Sequence, residues 1–255
     1  MIEATDLHFS YNKKGANVLD GISIKCAKGS VNILLGLNGC GKTTLIKILA
    51  GIYRPKTGSI MYCGRDFLSM SVEEKSTIVS YVPQASSSVN DFSVIDYLTF
   101  GTVNSLEFYE SPGQAELEKV NGFIERFGIG HLANKRMSEI SGGERQIVSI
   151  CSAMIQNTDV ILLDEPMSAL DMRNQDRVLS LLKNMVTEEG KTILLSTHNP
   201  NHALYLGGQV YTIKDGTIMD SGPASEVVTV GRLRELYGDR ICYSKDFEYN
   251  EISFR

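Results

Sequence analysis

The sequence predicts an α/β protein, and three features carry that expectation. The start is strand-rich: Ile2–Phe9, Leu19–Cys26 and Val31–Leu35 are β-favouring runs separated by Gly and Lys-Gly turns. Val160–Leu163 and Thr192–Ser196 are short aliphatic runs, the kind that forms parallel strands covered on both faces. Between these groups, residues from about 93 to 157 read as helical.

The remaining elements follow in order. Thr43–Ala50 is a predicted helix, with Leu45, Ile48 and Leu49 on one face and Gly51 at C′. Ser59–Cys63 and Thr77–Val82 are predicted strands. A helix start is expected at Ser111, as N-cap of a capping box with Pro112 at N1 and Gln114 at N3. Gln209–Ile213 and Thr217–Asp220, joined by Lys214-Asp215-Gly216, predict a hairpin. The last 25 residues carry no readable motif.

Composition narrows the function classes. With 255 residues and 42% apolar content, the chain can bury a large core. A net charge of −5 gives no basic field, so nucleic acid is not expected as a partner. No apolar run is long enough to cross a bilayer. The first residues lack the basic and apolar regions of a signal peptide, and the five cysteines lack metal spacing. Free thiols in a reducing cytosol are the expectation.

The chemistry begins at Gly36-Leu37-Asn38-Gly39-Cys40-Gly41-Lys42-Thr43-Thr44, between a predicted strand and a predicted helix. Glycines there let backbone N–H groups curl around phosphates, and the helix N-terminus adds its positive end. Lys42 supplies a point charge, and the Thr43 hydroxyl can ligate Mg2+. The bland alternative is a Gly-rich turn before a core helix. Cys40 is a small residue of this loop, and a maleimide on its sulfur is expected to block the pocket.

A second anion site is expected at Ser141-Gly142-Gly143-Glu144-Arg145-Gln146. Ser141 and Glu144 form a capping box for a helix whose apolar face is Ile147, Ile150, Cys151 and Met154. Capping does not explain the two glycines, which cost up to about 1 kcal/mol each in a first turn relative to Ala. They point to a backbone that something approaches closely. Since the chain already holds one phosphate cradle, this second site is expected to serve another subunit's nucleotide.

Together these motifs resemble the ATP-binding subunits of ABC transporters over nearly the whole length. Residues 36–44 match their Walker A loop and Ser141–Gln146 their signature, with Glu144 in place of the commoner Gln. Tyr81-Val82-Pro83-Gln84 matches the Q-loop, Val160–Pro166 Walker B, Ser168-Ala169-Leu170-Asp171 the D-loop, and Ser196-Thr197-His198 the switch histidine. Tyr11 falls where the family places its adenine-stacking aromatic, although alternation with Phe9 also suits a plain strand aromatic.

The resemblance implies an ABC ATPase fold: a RecA-like core at about 1–85 and 159–230, with an antiparallel β portion at its start. A helical signature region is implied at about 86–158, and a tail of unknown role at 231–255. It implies that Asp164 holds Mg2+ and Glu165 polarises the attacking water. His198 senses the γ-phosphate and orients Glu165, and Gln84 completes the Mg2+ and water shell. Ser141, Gly142, Gly143, Glu144 and Asp171 would act in a head-to-tail homodimer. Membrane permease chains, with a substrate-binding protein indirectly, are the implied partners, on the inner face of the cell membrane. Ser196–Leu204 and Met172–Gln175 resemble importers of iron–siderophore, haem, cobalamin or molybdate type. An ATPase of iron–sulfur cluster assembly and an export ATPase with a separate permease are the alternatives.

Overall fold

The computed structural model describes residues 2–12, 15–84, 92–102, 112–244 and 251–254. Strands β1 (Ile2–Phe9), β2 (Leu19–Cys26), β4 (Thr57–Tyr62) and β5 (Arg65–Asp66) form an antiparallel sheet in the order β2-β1-β4-β5. The second sheet has six strands in the order β10-β9-β3-β8-β7-β6. Its members are β3 (Val31–Leu35), β6 (Val79–Val82), β7 (Val160–Leu163), β8 (Thr192–Thr197), β9 (Gln209–Lys214) and β10 (Thr217–Pro223). All its pairs are parallel except the β9–β10 hairpin. β3, β7 and β8 are buried at every residue, which is why they read as unbroken aliphatic runs.

Helices cover both faces of this sheet. Helix α1 (Lys42–Leu49) buries Leu45, Ile46, Ile48 and Leu49 in a cluster with Leu34, Leu162, Leu194 and the inner face of the antiparallel sheet. On the opposite face, Ile33, Leu35, Ile161, Leu163, Ile193 and Leu195 meet helices α3 (Val94–Phe100), α4 (Gln114–Arg126) and α5 (Gly142–Ile155). The helical segment therefore shares its core with one side of the sheet. Helices α6 (Met172–Thr187), α7 (Pro200–Leu206), α8 (Ala224–Val227) and α9 (Val230–Tyr237) pack into the same cluster.

Three local expectations are corrected. Thr77 and Ile78 belong to a surface helix α2 (Val72–Ile78), with the strand confined to Val79–Val82. A capping box of Ser71 and Glu74 starts that helix, with bonds of 3.2 and 2.9 Å. Helix α4 starts two residues later than expected, at N-cap Gly113, because the Glu116 carboxylate, not Gln114, reaches back to the cap N–H at 2.8 Å. Ser111 lies outside the described residues. The tail, read as featureless, carries most of α9 and a two-stranded antiparallel sheet of β11 (Ile241–Ser244) and β12 (Glu251–Phe254).

Candidate active site

The phosphate loop leaves the C-terminal end of β3 and feeds directly into α1, the strand–loop–helix order that aims backbone N–H groups at one point. Gly41 makes the turn at φ +109°. A Cβ there would lie 2.7 Å from Leu19 Cδ2 and 3.1 Å from Val18 O, so only glycine fits. Lys42 opens the helix and is 5% exposed. Its Nζ donates to Gly36 O (2.8 Å) and Leu37 O (3.0 Å) and stands 3.3 Å from Glu165 Oε1.

Glu165 and Asp164 follow the end of β7 and are buried. Thr43 Oγ1 donates to Asp164 Oδ1 at 3.0 Å, and Ser196 Oγ donates to the same oxygen at 2.8 Å. The Ser196 oxygen in turn accepts the Glu165 N–H at 2.9 Å. Glu165 takes a left-handed backbone, φ +48°. Its Oε2 accepts from His198 Nδ1 at 2.7 Å, which places the proton on that nitrogen. The carboxylate is thus clamped between Lys42 and His198, with one oxygen toward each.

Tyr11, Lys42, Thr43, Gln84, Glu165 and His198 line one cavity of about 690 Å3, beside Asn38, Gly39, Gly41 and Thr44. The Tyr11 hydroxyl lies 2.8 Å from Thr44 Oγ1, and its ring packs edge-on against Phe9 and Tyr53. Tyr11 as a whole is 60% exposed.

Cys40 departs from the expectation. Its backbone belongs to the loop, but its side chain is buried in the α1 cluster, where a Cβ on Gly36 would come within 2.8 Å of the sulfur. Burial pushes its thiol pKa up. Loop membership fixes a backbone path, and the alternate side chains of a tight loop can still face the core.

Ser141, Gly142, Gly143, Glu144 and Asp171 lie away from this cavity. Ser141 Oγ accepts the Glu144 N–H (3.2 Å) and Glu144 Oε2 accepts the Ser141 N–H (2.7 Å), the reciprocal box the spacing predicts. That backbone donor, with the Ser141 hydroxyl, lowers the Glu144 pKa. The glycine pair divides. A Cβ on Gly143 would meet this chain's own Ala169 O at 3.1 Å, whereas one on Gly142 would meet nothing nearer than Arg145 at 3.9 Å. Asp171 caps α6 by accepting the Asn174 N–H at 2.8 Å.

Two participants escaped the sequence reading. Ser196 bridges Asp164 and Glu165; its buried hydroxyl at the end of β8, after Ile193, Leu194 and Leu195, was the available signal. Tyr237, from α9, donates its hydroxyl to His198 O at 3.0 Å, and no local pattern announces so distant a contact.

The residues fit a nucleotide with a hard cation. The Thr43 hydroxyl and the Asp164 carboxylate converge to 3.0 Å, oxygen donors of the type Mg2+ prefers. Among the described residues no group of three His, Cys, Asp or Glu side chains is placed to hold a metal by itself. No described helix is long and apolar enough to cross a membrane.

Comparison with known proteins agrees with this geometry. The family model for the ABC transporter matches residues 19–168. A Helicobacter pylori protein described as an iron chelatin transport ATP-binding protein is 30% identical over 238 residues, 93% of this chain and 92% of that protein. The iron(3+)-hydroxamate import ATP-binding protein of Bacillus subtilis is 29% identical over 220 residues, 86% of this chain and 82% of that protein. A solved structure described as a metal-chelate type ABC transporter, inward-facing, superposes with a TM-score of 0.82 at 27% identity, covering 100% of this chain and 97% of that one. The chain belongs to the ABC transporter family, as one of its ATP-binding, ATP-hydrolysing cassettes.

Proposed function

We propose that this chain powers import of an iron chelate, acting as a head-to-tail pair of copies beneath membrane permease chains. The relatives described as iron chelatin and iron(3+)-hydroxamate transporters support the cargo class. One observation carries the paired reading: α1 and α5 pack on opposite faces of the six-stranded sheet. A chain cannot fold its own Ser141 onto its own Lys42 with a sheet between them, so a second copy must supply the signature. The open side of Gly142 leaves room for that approach.

In this reading ATP lies along the cavity, with its phosphates on the loop amides and Lys42 and its adenine against Tyr11. Thr43 and Asp164, with Gln84 nearby, would hold Mg2+, which when bound neutralises charge on the phosphates. Glu165 orients the attacking water and accepts its proton, while His198 holds that carboxylate in place and reaches toward the γ-phosphate. The helices between β6 and β7 pass the resulting motion to the permease on the cytoplasmic face. A substrate-binding protein delivers cargo to the permease without touching this chain.

A mixing experiment tests the shared site. Ser141→Arg blocks the signature and Lys42→Ala empties the loop, so neither homodimer keeps a whole site. A mixed pair keeps one, and mixing should restore hydrolysis. ATP turnover that stays at the wild-type rate per chain at every dilution would overturn the paired reading. Recovery of a many-span permease with this chain from detergent-solubilised membranes tests the transport role; scaffold proteins of cluster assembly in its place would refute it.

A further inference from the structure

Behind His198 lies a smaller cavity of about 110 Å3, lined in part by Glu165, Ser168, Gln175, Thr197, His198 and His202. A continuous hydrogen-bond chain runs along it. Gln175, in the first turns of α6, donates through Nε2 to Met167 O (3.2 Å) and Leu170 O (2.9 Å). Two carbonyl acceptors fix which end of the amide faces them. Gln175 Oε1 therefore points at His202 Nε2, 3.3 Å away. On the other side of the ring, His202 Nδ1 and the Thr197 hydroxyl share a hydrogen bond of 3.1 Å. Thr197 Oγ1 in turn accepts the Asn199 N–H at 3.1 Å. Asn199 Nδ2 stands at the same 3.3 Å from His202 Nε2, so the place of the ring proton decides whether Gln175 or Asn199 bonds that nitrogen.

The chain also has the right environment. Thr197 and His202 are buried, and burial, helped by nearby His198, lowers the His202 pKa to about 4. The ring is neutral at physiological pH, so one of its two nitrogens is an acceptor. One end of the relay is the D-loop backbone; the other brackets His198, whose ring holds Glu165 at 2.7 Å.

We propose that Gln175, His202 and Thr197 are positioning residues, which tie the D-loop to the His198–Glu165 pair so that its placement sets the alignment of the base. This rests on the reading above that two copies of the chain pair head to tail. Displacing Met167 or Leu170 would pull on Gln175, and through His202 on the strand end that carries His198. None of the three touches the nucleotide cavity, so their effect should fall on turnover and not on ATP binding.

A double-mutant cycle tests this. Gln175→Leu and Thr197→Val should each lower kcat about tenfold while KM for ATP stays within about twofold. Combined, they should be no worse than the more severe single change, because one chain is cut twice. Thr197→Ser, which keeps the hydroxyl, should restore turnover. Multiplying losses in the double variant, losses in KM alone, or unchanged kcat would each overturn the relay. Gln175 is only partly buried, so Gln175→Leu with Thr197→Ser as control decides the matter even if Thr197→Val fails to fold. Separately, Glu165→Gln without relay changes should form a dimer on ATP by gel filtration. Its failure to do so would refute the paired reading while the kcat cycle still judges the relay.

Discussion

Lys42→Ala should destabilise the protein before any nucleotide is added. The lost ammonium faces three oxygens: Gly36 O at 2.8 Å, Leu37 O at 3.0 Å and Glu165 Oε1 at 3.3 Å. Glu165 remains behind, 7% exposed, with His198 as its other partner. Removing one partner of a buried ion pair costs about 3–5 kcal/mol, because the other charge stays out of water. At roughly 2–4 °C per kcal/mol for a chain of this size, the melting temperature should fall by roughly 6–20 °C. Glu165→Gln removes the stranded charge, so Lys42→Ala should cost about 1–3 kcal/mol less in that background. Thermal melts of the wild type, both single variants and the double variant, without nucleotide and at equal concentration, measure this coupling. Calorimetry below all four melting temperatures then reads ATP affinity, which should be lost in Lys42→Ala with its charge-assisted phosphate contact. A melt within about 2 °C of wild type would refute the ion-pair argument. Tight ATP binding by the variant would refute the phosphate-loop assignment.

Two further outcomes follow from the site. Glu165→Gln should keep ATP binding and lose about 10²–10⁴-fold in turnover, the range for a missing general base, and phosphate release measures it; near wild-type hydrolysis would remove Glu165 from that role. Maleimide should label exposed Cys63 well before Cys40, whose buried sulfur has a raised pKa, and ATP should change the Cys40 rate little. Rapid, ATP-protected loss of activity through Cys40, located by peptide mass mapping, would put that sulfur back in the nucleotide pocket.

Much of the site was legible because its chemistry demands local patterns. A loop that wraps phosphate needs glycines beside a helix start, and residues 36–44 carry them contiguously. The Ser141–Glu144 box was readable for the same reason: both partners lie within one turn. The identical signal at Ser71 and Glu74 passed unread because α2 buries none of its residues, leaving no apolar stripe to flag a helix. Cys40 shows another limit, since backbone membership in a loop does not reveal which side a side chain faces. Gly143 shows a third. Its lack of a side chain is explained by Ala169 of the same chain, a contact across 26 positions that spacing cannot disclose. Tyr237 and His198 are farther apart still, 39 positions, and only folding brings them together.

The backbone of Glu165 has a consequence for anyone improving this protein by selection. A non-glycine residue held at φ +48° carries about 1–2 kcal/mol of steric strain, and here it also carries a buried carboxylate. Glycine or asparagine at position 165 relieves the backbone strain, but it leaves buried Lys42 without its carboxylate partner. A library sorted for heat tolerance alone therefore weighs about 1–2 kcal/mol of strain against a buried ion pair, and at no point scores the base. Any such sorting of this cassette has to score phosphate release in the same round, because folding alone does not report the base.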